Sequence, residues 1–420
     1  MDVDIAIIGG GPAGTTAALA LRRALPSASI VILDAATFPR DKACGDAIGP
    51  AAVRVYRELG IESELFSGSQ RVSVGRVMGP RNIEFTASFP KSSKQISYGY
   101  IQPRIDFDDA LLKVAADRGI TILQGCRVSD AHLEEDCWEI SYESASSSAT
   151  QAISTNRLRA SFLIGADGAS SQIRKFLQLP TLRGRSRALA IRAYAKILPS
   201  GRQLQSGELL VVFEPSLAPI YGWIFPLADG RINIGVGYLE IDKGKGDRNL
   251  SRQLQVFVDF LKTRNFNISD ITGIEGHPLP LGNNRETFTG TRAILIGDAA
   301  GMINPLSGEG ISYIARASEI LALELGVVGI ENIRANNLAD AEKKYEARFR
   351  SEYSAHFRSN YLATRALSIP WMGKAIFRAA KNSDYVRLHG VALMFGDARF
   401  NAKAIALVLR GLVRKDLDDR

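Results

Sequence analysis

Ile5-Ala6-Ile7-Ile8-Gly9-Gly10-Gly11-Pro12-Ala13-Gly14 is the stretch that decides how this chain folds. A short run of apolar residues suits a buried strand, and the glycines behind it demand a tight turn. In a strand–turn–helix unit of this spacing Gly9 makes the turn and Gly11 leaves room for a pyrophosphate. Gly14 lets the following helix pack on the strand. Pro12 and Ala13 belong to the same phosphate-facing turn. The helix expected over Thr15–Leu25 would aim its N-terminal amides and its dipole at the phosphates. A second strand, Ile30–Leu33, ends at Asp34, where an acid bonds a ribose hydroxyl pair. A glycine motif alone fits any tight strand-to-helix turn. Strand, helix, second strand and acid in one register select a dinucleotide.

Two further glycine signatures follow. Gly165-Ala166-Asp167-Gly168 comes directly after Phe162-Leu163-Ile164, and Gly297-Asp298-Ala299-Ala300-Gly301 directly after Ala293-Ile294-Leu295-Ile296. The third runs on to Pro305 and Gly308-Glu309-Gly310. Asp298 stands where a ribityl or ribose hydroxyl can reach it. Gly308, Gly310 and Ile311 open a helix expected over Gly310–Leu325, whose amides would face a flavin ring or a pyrophosphate. A dinucleotide held along its whole length needs several such approaches, and three in this order point to FAD.

At this level the pattern resembles the FAD-dependent oxidoreductases of the p-hydroxybenzoate-hydroxylase type. It resembles most closely the geranylgeranyl reductase family, including its menaquinone-reducing branch. Phe38-Pro39-Arg40-Asp41-Lys42-Ala43-Cys44-Gly45-Asp46 is similar to that family's Pro-x-x-Lys-x-Cys-Gly segment, and Tyr221-Gly222-Trp223-Ile224-Phe225-Pro226 to its Tyr-x-Trp-x-Phe-Pro strand. The likeness covers nearly the whole chain. It implies a cysteine, Cys44, beside the flavin ring, with Tyr221 and Trp223 completing a catalytic set on the wall of an isoprenoid cavity. It also implies flavin contacts at Arg104 and Val128. One departure concerns the substrate end: the chain continues Gly45-Asp46-Ala47, where many relatives carry another glycine near Ala47.

The expected architecture is α/β: a Rossmann-type FAD-binding domain (1–70, 100–180 and 285–330) with an inserted antiparallel β-sheet substrate domain (71–99 and 181–284). A C-terminal helical region (331–420) follows. Strands are expected over Ala188–Leu198, Gly207–Phe213, Tyr221–Pro226 and Arg231–Tyr238, rich in β-formers and punctuated by Gly and Pro. On one of them Tyr221, Trp223 and Phe225 share a face, either as core or as a cavity wall. Gly235-Val236-Gly237 leaves space for a ligand or for a close neighbour. Phe107–Arg118 has helical spacing, with Arg104 just before it as a flavin contact or a surface charge. Ile120–Leu123 and Arg127–Asp130, the second carrying Val128, are expected strands, and Ser144–Ala152 an exposed turn.

Composition sets the remaining limits. With 420 residues and 46% hydrophobic content the chain can bury a large core. Cys44, Cys126 and Cys137 have neither disulfide-framework nor zinc spacing, and His132, His277, His356 and His389 are scattered, so no metal site is expected. A reducing, cytoplasmic setting fits this cysteine usage. The apolar N-terminus lacks the basic residues of a secretion signal, and charges interrupt every candidate span. The net charge is +8, from 52 basic and 44 acidic side chains. Residues 356–415 hold eleven Lys or Arg against Asp384 and Asp397, which accounts for all of it. Arg399, Lys403, Arg410 and Arg414 fall on one helical face with Ile405, Val408 and Leu412 opposite. That is either a solvated helix packed on the core or an interfacial helix on anionic lipid. No recognised module accompanies the charge to suggest nucleic acid.

The chemistry would be the flavin's. A Cys44 thiol can donate a proton, or serve as a small buried hydrophobe. With one dinucleotide fingerprint, NADPH has no Rossmann domain of its own, so NADPH or another donor such as a ferredoxin would bind transiently. The leading expectation is reduction of isoprenoid double bonds. A flavin monooxygenase acting on an apolar metabolite, and a flavin-binding scaffold without turnover, are the alternatives.

Overall fold

The computed structural model describes residues 1–90, 96–145, 153–182, 187–214, 220–239, 249–282 and 286–413. Most of the expected Ser144–Ala152 turn lies outside these residues, as does Arg414. The first strand, Asp2–Ile8, has its last five residues buried and pairs in parallel with Ile153–Gly165 on one side and Ile30–Asp34 on the other. Thr121–Gln124 extends the sheet beyond Ile30–Asp34, and Ala293–Leu295 beyond Ile153–Gly165, both parallel. A parallel sheet is covered on both faces, which is why these strands read as unbroken apolar runs. The helix Pro12–Ala24 packs on it, as do Arg104–Asp117 and Ile311–Val328. Cys126–Glu134 and Cys137–Ala145 form an antiparallel hairpin that joins the sheet through Ile153–Gly165.

A seven-stranded sheet runs in the order Thr272–Pro280, Arg187–Ala195, Ile232–Leu239, Ile220–Pro226, Glu208–Val212, Val74–Met78, Glu84–Ser88. All its pairings are antiparallel except Glu208–Val212 with Val74–Met78, which come from distant parts of the chain and run parallel. One face is covered by the helix Leu250–Thr263, which puts Leu254, Phe257, Val258 and Leu261 into a separate core. This helix explains Gly222. A Cβ there would overlap the Phe257 ring, coming within 2.8 Å of its Cδ2. The other face carries Tyr221, Trp223 and Phe225.

The glycines of Ile232–Leu239 face neighbours. Trp223 pairs with Gly235 and Tyr221 with Gly237. A Cβ on Gly235 would lie 2.6 Å from Trp223 Cη2, and one on Gly237 would lie 3.3 Å from Tyr221 Cε1. The aromatic rings of one strand lie over the bare backbone of the next.

The C-terminal region is helical: Ala341–Leu367, Pro370–Asn382, Asp384–Phe395 and Ala402–Val413. It departs from the expected two-faced helix. The last helix starts at Ala402, so Arg399 precedes it and its guanidinium donates to the Glu352 carbonyl (2.8 Å). Ala404, Leu407 and Val408 face inward, while Ile405 is 47% exposed. A 100° step per residue leaves Ile405 a quarter-turn off the Ala404–Val408 row, enough to put it outside the contact. Among the described residues no helix is long and apolar enough to cross a membrane.

Candidate functional site

A cavity of about 590 Å3 lies over the C-terminal ends of the parallel strands and extends beneath the aromatic face of the second sheet. This is where an open parallel sheet offers uncommitted loops to a ligand. Gly9, Gly11, Pro12, Ala13, Asp34, Arg104, Val128, Asp298, Gly308, Gly310 and Ile311 all line it, together with Cys44, Tyr221 and Trp223. Gly14 does not. It stands behind the wall, where a Cβ would overlap the Gly9 carbonyl and come within 2.9 Å of Ile7 Cγ2. It therefore sets how closely the helix approaches the strand.

At one end the cavity is built for anions and hydroxyls. Gly9 has φ +112°, and a Cβ on it would lie 2.7 Å from the Ala166 carbonyl carbon. A Cβ on Gly11 would meet only Arg40 Nη2, at 3.3 Å, so that residue faces open space beside a cation. The helix Pro12–Ala24 has no side-chain cap, which leaves its first amides free to donate. The Asp34 carboxylate accepts from Gly10 N–H (2.6 Å) and Ala36 N–H (2.7 Å), and so is aimed across the turn.

Asp298 sits further along, half-buried in a 3₁₀ turn, with Lys42 Nζ 3.1 Å and His277 Nε2 3.8 Å from its Oδ2. Burial pushes this carboxyl up, but the Lys42 ammonium and the His277 ring outweigh it and hold it well below the usual range. Also on the cavity wall, Glu309 accepts from Ser312 N–H at the head of the helix Ile311–Val328 (2.7 Å), and burial raises its carboxyl to about 7 despite that bond.

At the other end the cavity is apolar and carries a thiol. Trp223 Nε1 donates to Asn233 Oδ1 (2.9 Å), and Tyr221 Oη donates to the Ser307 carbonyl (2.8 Å). Burial, then the nearby Cys44 sulfur, pushes the Tyr221 phenol far above its ordinary value. Its proton is therefore committed to Ser307. Gly308, at φ +71°, leaves the space that the Tyr221 hydroxyl fills. Met394 and Phe395, at the end of the helix Asp384–Phe395, close this part of the cavity.

Arg104 is buried, which removes the surface-charge alternative. Its guanidinium pairs with Asp108 (Nε–Oδ1 2.6 Å, Nη2–Oδ2 2.7 Å), and its charge bears on the Cys44 thiol on the same cavity wall. Burial raises the Cys44 thiol above its ordinary value, with Arg104 opposing and Asp46 reinforcing the rise.

Arg40, Lys42 and His277 also line the cavity, and Asp46 packs behind Cys44 through Asn233; none of the four was expected there. The Phe38–Asp46 segment carried the signal for Arg40, Lys42 and Asp46, and a scattered histidine carries none.

An open glycine turn at an uncapped helix terminus, acids placed for hydroxyls and a flanking arginine suit a dinucleotide with a polyol link. The chain matches the FAD binding domain family over residues 2–328. It is 32% identical over 349 residues to the menaquinone reductase of Mycolicibacterium smegmatis, covering 80% of this chain and 78% of that one. The chain belongs to the geranylgeranyl reductase family of FAD-dependent oxidoreductases. Within it, a geranylgeranyl diphosphate reductase from Synechocystis is 26% identical over 356 residues, covering 83% of this chain and 82% of the relative. The fold is shared with a geranylgeranyl bacteriochlorophyll reductase-like protein from Thermoplasma acidophilum (TM-score 0.73, 19% identity, 99% of this chain and 96% of that one). Like the rest of the family, the chain is a flavoenzyme that takes FAD.

Proposed function

We propose that this enzyme reduces carbon–carbon double bonds in a prenyl chain, of the menaquinone or geranylgeranyl kind, within the cavity just described. The observation that carries the reading is the meeting of the Cys44 thiol and the Tyr221–Trp223–Phe225 wall with the glycine turn in one cavity. FAD bound here would, once reduced, supply the hydride for one alkene carbon. Gly9, Gly11, Pro12 and Ala13 would hold its pyrophosphate and Asp34 a ribose; Val128, Asp298 and the Gly308–Ile311 backbone would complete the cofactor contacts. Cys44 donates its Sγ proton to the other alkene carbon. A thiol pushed up by burial still holds that proton at neutral pH, as an acid must. The aromatic wall and Met394–Phe395 exclude water and lay the prenyl chain across the ring. Electrons arrive from a carrier that docks transiently, NADPH or a small redox protein.

The decisive experiment reduces the purified holoenzyme anaerobically and adds a prenylated quinone. Flavin reoxidation with a gain of two hydrogens in the lipid is expected. A flavin that stays reduced beside an unchanged lipid, but oxidises with oxygen incorporation into an apolar substrate in air, would sink this reading in favour of a monooxygenase.

The same reading includes contact with an anionic membrane surface, where such lipids reside. It is supported by outward-facing Trp371 (59% exposed), Leu388 (53%) and Leu409 (55%) among the basic C-terminal helices. Flotation with phosphatidylglycerol vesicles, abolished when Arg399, Lys403 and Arg410 become Glu, is the expected result. Equal flotation of both proteins refutes it.

A further inference from the structure

Asp46 is an acid beside the Cys44 thiol that neither the flavin contacts nor the proton donation to substrate account for. It is fully buried, and at φ 63° it sits in the left-handed region, where Gly or Asn fits with less strain. Two local costs at one residue beside a reactive group call for a functional reason.

Its hydrogen-bond partners come from the strands Arg187–Ala195 and Ile232–Leu239 and from the start of the helix Arg104–Asp117. Tyr194 Oη and Asn233 Nδ2 both donate to Asp46 Oδ2 at 2.8 Å, and Arg104 N–H approaches Oδ1 at 3.3 Å. Asn233 Nδ2 also donates to the Cys44 carbonyl (2.7 Å), and Asn233 Oδ1 accepts from Trp223. Cys44 and Arg104 line one cavity, and the Arg104 charge favours a thiolate at Cys44 while the Asp46 charge disfavours one. One carboxyl and one guanidinium thus stand around a single thiol, with Asn233 as the shared brace.

We propose that Asp46 is a positioning residue that works against Arg104 to set when Cys44 carries its proton, Asp46 holding the proton on the sulfur and Arg104 drawing it off. The proposal deepens the reductase reading and rests on it for the thiol's role as acid. With Asp46 ionised, its negative charge disfavours a second one on Cys44, so the thiol arrives at the alkene protonated. Once the proton has left, the Arg104 charge stabilises the thiolate until it is protonated again.

The other charged or titratable groups in range are few. Arg192 lies on the same strand as Tyr194 and stacks on its ring (4.5 Å), and is itself paired with Asp41 and Glu275. Asp108 neutralises Arg104 from its own helix, and Tyr221 faces Cys44 from the aromatic strand. Burial raises the Asp46 carboxyl to about 6, against the pull of its hydrogen bonds from Asn233 and Tyr194 and of the Arg192 and Arg104 charges. The counterweight is therefore present at neutral pH and withdrawn in mild acid.

The test is the pH dependence of Cys44 alkylation by iodoacetamide in the FAD-loaded enzyme, read on the Cys44 peptide by mass spectrometry. It needs no prenyl substrate, so a wild-type enzyme that fails to reduce prenyl chains would refute the reductase reading and leave this measurement intact. In Asp46→Asn the midpoint is expected to fall by about one pH unit, giving roughly tenfold faster alkylation below both midpoints. FAD content should be unchanged. Tyr194→Phe keeps the acid but removes a bond to its charged form, and so should speed alkylation between about pH 6 and 7. A purely structural role would alter FAD occupancy or melting and leave the midpoint in place. An unmoved midpoint in FAD-loaded Asp46→Asn overturns the proposal, and if that variant does not load FAD, an unmoved profile in Tyr194→Phe does so.

Discussion

Replacing Asp46 by Asn should change how the enzyme's stability responds to pH, and the structure sets the sign and size. The carboxyl rises from an ordinary 3.8 to about 6 in the folded protein because it is buried. A raised value means that the folded state binds the proton more tightly. The resulting stabilisation is fully present below 3.8 and is gone once the pH has passed about 6. A shift of this size corresponds to roughly 3 kcal/mol over the whole window, of which about 2 kcal/mol falls between pH 4.5 and 7.5. Asn has the same shape, accepts the left-handed backbone and never ionises, so the variant lacks this loss. The difference between variant and wild type should move by about 2 kcal/mol in favour of Asn from pH 4.5 to 7.5. Urea unfolding of both proteins at the two pH values, with saturating FAD, measures it as a double difference in which titrating groups not coupled to Asp46 cancel, and Cys44 stays protonated at both pH values. A double difference near zero, or one favouring Asp at high pH, would refute the burial argument. With the alkylation result, this separates the two aspects of Asp46: the acid destabilises the fold at neutral pH while holding the thiol protonated.

Other outcomes follow from the packing and the site. Gly14→Ala drives a methyl into the Gly9 carbonyl and Ile7. It should cost about 1–3 kcal/mol by overpacking and release FAD, read by melting and by flavin content; a melt and flavin content matching wild type would refute it. Gly235→Ala forces the Trp223 ring off its neighbour and breaks its bond to Asn233. FAD should stay bound while prenyl reduction falls on the order of tenfold or more through a rise in KM, since a wall has moved and the cofactor has not; an unchanged KM would count against the wall. Cys44→Ser should retain FAD and lose most alkene reduction, on the order of a hundredfold, because a hydroxyl is a far weaker acid than a thiol. Full activity in that variant would reduce Cys44 to packing.

The sequence by itself determined the dinucleotide turn and much of the wall. A tight turn, a close backbone approach and a helix terminus are local demands, and glycines at fixed spacing report them directly. Period-two aromatics likewise placed Tyr221, Trp223 and Phe225 on one face before any fold was known. Tertiary structure decided what those positions mean chemically. Lys42 meets Asp298 from 256 residues away, and Asp46 meets Tyr194 and Asn233 across two strands of another sheet. Neither pairing has a local signature, yet together they fix which acids are charged. The space beside Gly235 and Gly237 could have held a ligand, and only the pairing with the neighbouring strand filled it with Trp223 and Tyr221. The outward Ile405 shows the same limit, since a wheel gives relative angles along a helix while the contact with its neighbours sets the absolute rotation. Patterns along a chain encode backbone geometry, whereas charge state and open volume depend on which distant groups share the same buried space.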